Sequence, residues 1–291
     1  MHKNLVTIDI PYVADSAAVF DALSNDDWPI WLDSGKGFSD ARNSGGHHID
    51  VIAANPIKKI YFDPENSLAS YTAADSAGQI GSKTTYHTDI STCFFDIEAI
   101  LKQHSHSQPH GPGWLGYLSY DLFDRFEHIT KKQKQERIPQ ITLGFYAVTI
   151  VSNHHKKTTS IFALPHFIET AKHITNAIHK IFDNKQPVED STQLRFELLA
   201  PFQAATSKED YRQQFEAVKE FILQGDCYQI NLTQEFYARC NGPGLPAYKA
   251  LRQAHSSPMS AYFCRAWVHI ATEHEMHGDQ TLWYKILQNQ E

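Results

Sequence analysis

Two polar amides lie in a stretch whose residue pattern predicts a β-strand, and they are the first candidates for chemistry. From Cys227 to Tyr237 apolar side chains alternate with polar ones, so Gln229 and Asn231 are predicted to point to the same face. A buried amide needs hydrogen-bond partners, because burying an unpaired polar group costs free energy. The residues leave two alternatives open: the amides hold a sheet together, or they meet a polar ligand.

A carboxylate and a hydroxyl, Asp33 and Ser34, form the second candidate, at the predicted end of an apolar strand that begins at Trp28. The sequence places no histidine to activate Ser34, so a nucleophilic serine is not expected. Three histidines within residues 104–110 lie among serines and a proline. This favours a solvated loop over a zinc site, since zinc requires several ligands in fixed geometry.

A capped amphipathic helix is predicted just before the amide-bearing strand. The Ser207 hydroxyl can act as N-cap, and Asp210 follows three residues later, close to a capping box. Gly225 can adopt the left-handed conformation that closes a helix. Apolar side chains recur between them at three- and four-residue spacing, which predicts one apolar face: Tyr211, Phe215, Val218, Phe221 and Ile222.

Elsewhere strands outnumber helices and several form hairpins, which favours antiparallel sheets with outer helices. Strands are predicted over 6–10, 28–32, 48–53, 57–62, 141–151 and 158–163, and helices starting at Ser16 and over 94–103 and 169–183. The glycines of residues 111–121 are expected to let a strand pack closely against a helix. In the predicted hairpin turn after residue 152, His154 and His155 are expected to be solvated.

The composition is that of a soluble globular protein. The chain has 291 residues, 42% hydrophobic and 20% charged, with a net charge of −7. That charge argues against nucleic acid or an anionic membrane surface as a partner, and no apolar run is long enough to span a bilayer. Four scattered cysteines and no signal-peptide pattern predict reduced thiols in a cytoplasmic protein.

The amino-acid sequence of the helix–strand stretch resembles that of a known family. GDCYQINLTQEF at 225–236, preceded by YRQQFEAVKEFILQ and followed by SPMSAYF, is similar to the chorismate-utilising enzymes, as is GYLSYD at 116–121. GDCYQINL in place of GDIFQVVLS favours the aminodeoxychorismate synthase component I branch over anthranilate synthase component I. The resemblance implies an α+β fold, a sandwich of antiparallel sheets with outer helices, of which only the N-terminal portion is expected here.

The resemblance also implies a tryptophan pocket where two distant segments meet. Its lining would come from Asp33 and Ser34 on one segment and from Ser257, Pro258, Met259 and Ser260 on the other. The alternative is a packed contact between strands without a ligand. His48 stands where the family usually has an arginine.

The groups that act on chorismate in this family are expected to be absent. An SPERF segment, a PIKGT segment with the active-site lysine and the glutamates that bind Mg²⁺ are not found, so no catalytic residue and no metal ligand is predicted. Residues 55–59 resemble PIKGT but lack its Gly-Thr. Lys58 is therefore not expected to be the catalytic lysine. The expected domains are 1–190, the start of a chorismate-binding domain at 191–263, and a tail at 264–291 that we expect to be translated out of frame.

The function implied is conversion of chorismate and ammonia, the latter from a glutaminase subunit, into 4-amino-4-deoxychorismate. The chain as given is expected to be catalytically incomplete. Two alternatives are anthranilate synthase component I and a non-catalytic fragment that binds tryptophan or the glutaminase.

Overall fold

The computed structural model describes residues 4–35, 48–63, 67–72, 83–87, 90–120, 122, 139–183, 195–254, 259–263, 282–283 and 286–289. The chain forms two compact units. Unit 1 comprises Met1–Val188 and Arg252–His269, and unit 2 comprises Glu189–Leu251 and Ile270–Glu291. The first division lies two residues from the expected boundary after residue 190, and residues 252–263 group with unit 1.

Unit 1 contains two antiparallel sheets. Its strands are β1 (Val6–Ile10), β2 (Ile30–Asp33), β3 (Ile49–Ala53), β4 (Lys58–Asp63), β5 (Ser67–Thr72), β6 (Lys83–His87), β7 (Gly113–Leu118), β8 (Ile141–Tyr146), β9 (Val148–Asn153), β10 (Thr158–Ala163) and, after the chain has passed through unit 2, β15 (Ser260–Phe263). One sheet has the order β1-β10-β9-β3-β2-β15, and the other has the order β6-β5-β4-β8-β7. The mixed fold of helices and antiparallel sheets is confirmed.

Three helices accompany these sheets: α1 (Ser16–Leu23), α2 (Ile90–Gln103) and α3 (Ile168–Asp183). Ser16, expected to cap α1, is instead its first residue, and the N-cap is Asp15, whose carboxylate accepts from the backbone N–H of Ala17. Side chains from both sheets share one apolar cluster, with Ile30 and Ala53 packed beside Tyr146. The core therefore lies partly between the sheets, where the apolar faces of their strands meet.

The predicted strand 141–151 is in fact two strands in different sheets. The chain leaves β8 at Tyr146, turns at Ala147, and enters β9 in the other sheet. Tyr146 and Ala147 are both buried, and the Tyr146 hydroxyl donates to the backbone carbonyl of Trp28 at 2.7 Å. The crossing is therefore fixed by packing and by one long-range hydrogen bond.

Gly116 lets two strands approach each other, and the expected approach to a helix is wrong. Its φ is +147°, and a Cβ there would overlap the carbonyl oxygen of Thr142 and lie 3.0 Å from the Cα of Leu143. Both neighbours belong to β8, which pairs with β7. A side chain at this position would push the two strands apart.

Unit 2 contains the predicted capped helix. Its elements are β11 (Glu197–Leu198), β12 (Gln203–Ala204), α4 (Lys208–Gln224), β13 (Thr233–Tyr237), β14 (Arg239–Asn241), α5 (Gly244–Ala254, whose last turn enters unit 1), β16 (Leu282–Trp283) and β17 (Ile286–Asn289). Ser207 is the N-cap of α4, with its oxygen 3.0 Å from the Asp210 amide, and Gly225 closes the helix at φ +83°. Both caps are confirmed.

The apolar face of α4 is largely exposed. Phe215 is 46% exposed, Phe221 50% and Ile222 41%, and no residue of the helix is buried. Within the described ranges, none of the helices combines the length and apolar character needed to cross a bilayer.

Candidate functional site

Strands β2 and β15 bring the two predicted pocket segments together. They pair antiparallel with Ser260 opposite Asp33 and Tyr262 opposite Trp31, although these residues are far apart in sequence. Met259, just before β15, is 86% exposed. The predicted pocket residues 257 and 258 lie outside the described residues.

Asp33 forms a buried ion pair with Arg252, near the end of α5. The Arg252 Nε lies 2.6 Å from one Asp33 oxygen and Nη2 lies 3.1 Å from the other, while Nη1 reaches Asp15 at 3.0 Å. The guanidinium also lies 4.7 Å from the ring centre of Trp31. Burial lowers the pKa of Arg252, but the hydrogen bond and charge of Asp33 outweigh it, so the pKa lies above its ordinary value.

Ser34 is held by Asp50, on β3. The Ser34 hydroxyl donates to Asp50 Oδ1 at 2.7 Å, and the Ser34 backbone N–H donates to the same oxygen at 2.8 Å. Ser34 is 2% exposed and Asp50 1%. Each short bond involves a carboxylate, the stronger class of hydrogen bond.

The other Asp50 oxygen faces His154. Asp50 Oδ2 lies 3.1 Å from His154 Nε2, an ion-pair distance, although the two atoms do not form an aligned hydrogen bond. His154 Nδ1 in turn lies 2.8 Å from the Tyr12 hydroxyl. Burial alone would raise the pKa of Asp50, but interactions with His154, Ser16 and Ser34 outweigh it and lower the pKa to about 2.

The expectation that His154 is solvated is therefore wrong. The turn follows β9 as predicted, and His155 is exposed, but the His154 side chain is only 18% exposed because it folds back toward Asp50. Two adjacent histidines in a turn look alike in sequence. The fold distinguishes them, because Asp50 of β3 lies beside His154.

Gln229 and Asn231 do not lie on a strand. The strand predicted from Cys227 begins only at Thr233, as β13, and both amides are exposed in the segment before it. The idea that they form a buried pair on one sheet face is wrong. Their side chains can reach water, so hydrogen bonding does not require a protein partner or a ligand.

The described residues do not fit the magnesium ion that the resemblance implies. Across the ranges that the structure describes, no group of three or more histidine, cysteine, aspartate or glutamate side chains is arranged to hold a metal ion. The two buried carboxylates nearest the candidate site, Asp33 and Asp50, are already engaged by Arg252 and by Ser34. We therefore derive no step through magnesium from these residues.

Comparison with known proteins decides the family. Residues 40–271, most of the chain, match the family described as chorismate binding enzyme. The chain belongs to this family. The chain is 28% identical over 246 residues to aminodeoxychorismate synthase component 1 of Escherichia coli (strain K12), covering 84% of this chain and 49% of the relative.

A second relative matches a similar share of the chain, and a solved structure shares its fold. Aminodeoxychorismate synthase component 1 of Klebsiella aerogenes is 26% identical over 267 residues, covering 88% of this chain and 52% of the relative. The crystal structure of anthranilate synthase component I from Streptococcus pneumoniae TIGR4 has a TM-score of 0.51 and 21% identity, covering 75% of this chain and 48% of that one. The chain spans about half the length of the curated relatives it matches.

Arg252, Asp50 and His154 are the site residues that sequence reasoning missed. Asp33 indirectly indicated a cation such as Arg252, because a carboxylate predicted inside a sheet needs a counter-ion. Nothing in the spacing selects Arg252 as that counter-ion, since it lies 219 residues away in the chain. Asp50 stands two residues after His48, the position where the resembling family usually has an arginine.

Proposed function

We propose that this chain is component 1, or part of component 1, of an aminodeoxychorismate synthase. It would contribute to replacing a ring hydroxyl of chorismate by an amino group, with ammonia supplied by a glutaminase partner. The observation that carries the proposal is similarity to two aminodeoxychorismate synthase components over 84% and 88% of this chain. The GDCYQINL sequence at 225–232 supports the same branch of the family.

We place the reacting groups in the portion of the relatives' length that this chain does not span, since its sequence lacks the SPERF and PIKGT segments. The reaction needs a proton donor for the leaving oxygen and an environment for a doubly negative substrate. Around β2 and β15 the buried cation Arg252 is already paired with two aspartates. A buried, paired guanidinium does not provide a binding site for substrate carboxylates, so this part of unit 1 supports the fold rather than the chemistry.

The chain by itself should therefore not turn over chorismate. The assay supplies chorismate, ammonium and Mg²⁺, and separates products by liquid chromatography, with the intact Escherichia coli relative as positive control. Formation of 4-amino-4-deoxychorismate by this chain alone would refute our placement of the reacting groups.

A chimera tests the branch itself. Residues 1–263 of this chain are joined to the portion of the Escherichia coli relative that lies beyond its matched region, and the chimera is assayed in the same way. The expected product is 4-amino-4-deoxychorismate. Anthranilate, recognised by its fluorescence, would instead place the chain with the anthranilate synthases.

We also propose that tryptophan binds where β2 and β15 meet. The pairing of Asp33 with Ser260 supports this, because it brings the two candidate segments to the same end of one sheet. Calorimetric titration of the chain with tryptophan tests it. Absence of binding would favour the alternative, a packed contact between strands without a ligand.

A further inference from the structure

We propose that the apolar face of α4 is a docking surface for the portion of component 1 that this chain does not span. The inference rests on the proposed function and names the polypeptide surface that unit 2 binds. The occupant presents apolar side chains bordered by carboxylates.

Unit 2 carries its large apolar side chains on the outside. Among the residues of unit 2 whose burial the structure describes, the buried apolar side chains are small: Ala238, Cys240 and Ala247. Residues 215–230, in contrast, expose six large ones: Phe215, Phe221, Ile222, Leu223, Tyr228 and Ile230. This is the reverse of a globular interior, where large apolar side chains supply most of the burial.

The exposed surface is as large as one side of an interface. Tyr228 is 95% exposed and Leu223 79%. Because an aromatic side chain can bury about 150–250 Å², the six side chains expose on the order of 700 Å². Each partner in a stable interface contributes ~800 Å². The segment is therefore large enough to hold a partner.

One border of the α4 face is basic. On a helix of about 3.6 residues per turn, Lys208, Arg212 and Lys219 fall in one row. The Lys219 ammonium lies 5.8 Å from the centre of the Phe215 ring, which places this row at the edge of the apolar face. The pair between Lys219 and Glu216 is exposed, so a partner's carboxylate can replace Glu216 at little cost.

A second copy of this chain does not supply such carboxylates. The opposite border of the face carries Gln214 and Ala217, and the Asp210 carboxylate there accepts from the Ser207 hydroxyl at 2.7 Å. A two-fold pairing through α4 would set the basic row against this border or against itself. The relatives hold about as much polypeptide again as the matched region, since the match covers 49% and 52% of their lengths. That unmatched portion is the occupant we assign.

A dye-binding measurement on this chain alone tests whether the face is a free surface. The dye 8-anilinonaphthalene-1-sulfonate fluoresces on exposed apolar surface. Phe215→Gln combined with Phe221→Gln should lower its fluorescence by about half and move the urea midpoint by less than about 0.5 M. Phe95→Gln, the same change at a phenylalanine of α2 that is 70% exposed, is the matched control and should change the fluorescence little. Unchanged fluorescence in the double variant, or a midpoint lower by about 1 M or more, would overturn the inference.

Thiol labelling identifies the occupant. Phe215→Cys reports on the face, and Glu216→Cys, on the far side of the helix, is the matched control. Both are made in this chain and in the chimera, and peptide mass spectrometry after iodoacetamide treatment measures each site. The two positions should label at similar rates in the chain alone. In the chimera, labelling at position 215 should slow about tenfold or more, because a covered side chain reacts only when the contact opens.

The basic border is tested in the same chimera. Lys219→Glu should restore part of the labelling at position 215, because it sets a carboxylate against the partner's carboxylates. Lys156→Glu makes the same change in an exposed turn of unit 1 and should have no effect. Equal effects of the two variants would refute the acidic border of the occupant.

Two labelling results would overturn the docking surface itself. One is equal labelling of position 215 in the chain and in the chimera, whichever product the chimera forms. The other is protection in the chain alone that grows with its concentration, which would assign the face to a second copy. The branch is judged separately: anthranilate as the product of a chimera protected at position 215 would refute the proposed function and leave the docking surface intact.

Discussion

Replacing Arg252 by methionine should destabilise unit 1 severely. Methionine keeps an unbranched apolar stem that can still cover Trp31, but it removes a charge that balances two carboxylates. Asp33, which is 2% exposed, then loses the guanidinium that balances its charge. Asp15, whose side chain is 44% exposed, can turn to water and loses less.

The expected loss is about 3–5 kcal/mol, the cost of removing one partner of a buried ion pair. With a urea m-value of about 2 kcal/mol per molar, the unfolding midpoint should fall by roughly 2 M. Lys172→Met is the matched control, because it breaks an exposed pair with Glu169 in the same unit and should cost about 0.5 kcal/mol or less. Tryptophan fluorescence follows the transition, since Trp28, Trp31 and Trp114 all lie in unit 1.

A double variant separates lost charge balance from lost packing. Arg252→Met combined with Asp33→Asn should recover part of the loss, because the buried carboxylate charge is removed together with the guanidinium. A loss below about 1 kcal/mol in the single variant, or no recovery in the double variant, would refute the reasoning.

The remaining predictions concern stability at four positions. The pKa of Asp50 is lowered to about 2, below its ordinary 3.8, so its carboxylate contributes about 2–3 kcal/mol of stability above pH 5, which is lost as the pH falls through 4 toward 2. Asp50→Asn should lose this stability at pH 7 and show a flatter acid limb in urea titrations; an equally steep limb would contradict the assignment. Gly116→Ala should cost several kcal/mol, because its Cβ overlaps a neighbouring strand, whereas Gly225→Ala, with a positive φ but open space, should cost about 1 kcal/mol; the reverse order of urea midpoints would be inconsistent with the two geometries. Ser207→Ala should cost about 1 kcal/mol and speed amide exchange in the first turn of α4, and unchanged exchange would show that the cap is dispensable.

Local signals gave the parts of the fold that depend on neighbouring residues. The caps of α4 at Ser207 and Gly225 were predictable because a hydroxyl, a free N–H and a left-handed glycine lie within a few residues of one another. Strand β1 was placed correctly at 6–10 because its alternation ends at a proline. Such features need no knowledge of the rest of the chain.

Strand boundaries that depend on contacts between distant residues could not be predicted from hydrophobic periodicity. The run 141–151 reads as one strand because it is apolar throughout, and periodicity cannot show that the chain changes sheets at Ala147. The alternation around Gln229 predicted a strand, but pairing partners are found only from Thr233 onward. In each case tertiary structure determined where a strand begins or ends.

The candidate site was predicted only in part. The resemblance implied that the segments at 33–34 and 257–260 meet, and β2 does pair with β15. The side chains that neutralise and orient the first segment, Arg252 and Asp50, were missed, because each reaches it through the fold. A charge predicted to be buried implies that a partner exists, but the sequence does not identify that partner.

The return of the chain to unit 1 has a consequence for biosynthesis. The chain leaves unit 1 after Val188 and returns at Arg252, and β15 is the sixth strand of a sheet whose other members lie before residue 164. On a ribosome that adds about 5–20 residues per second, β2 must wait roughly 10–45 s for its neighbour while the intervening segments emerge. During that interval the edge of β2 presents unpaired backbone groups, so nascent chains stalled before residue 260 should be the species that most needs a chaperone.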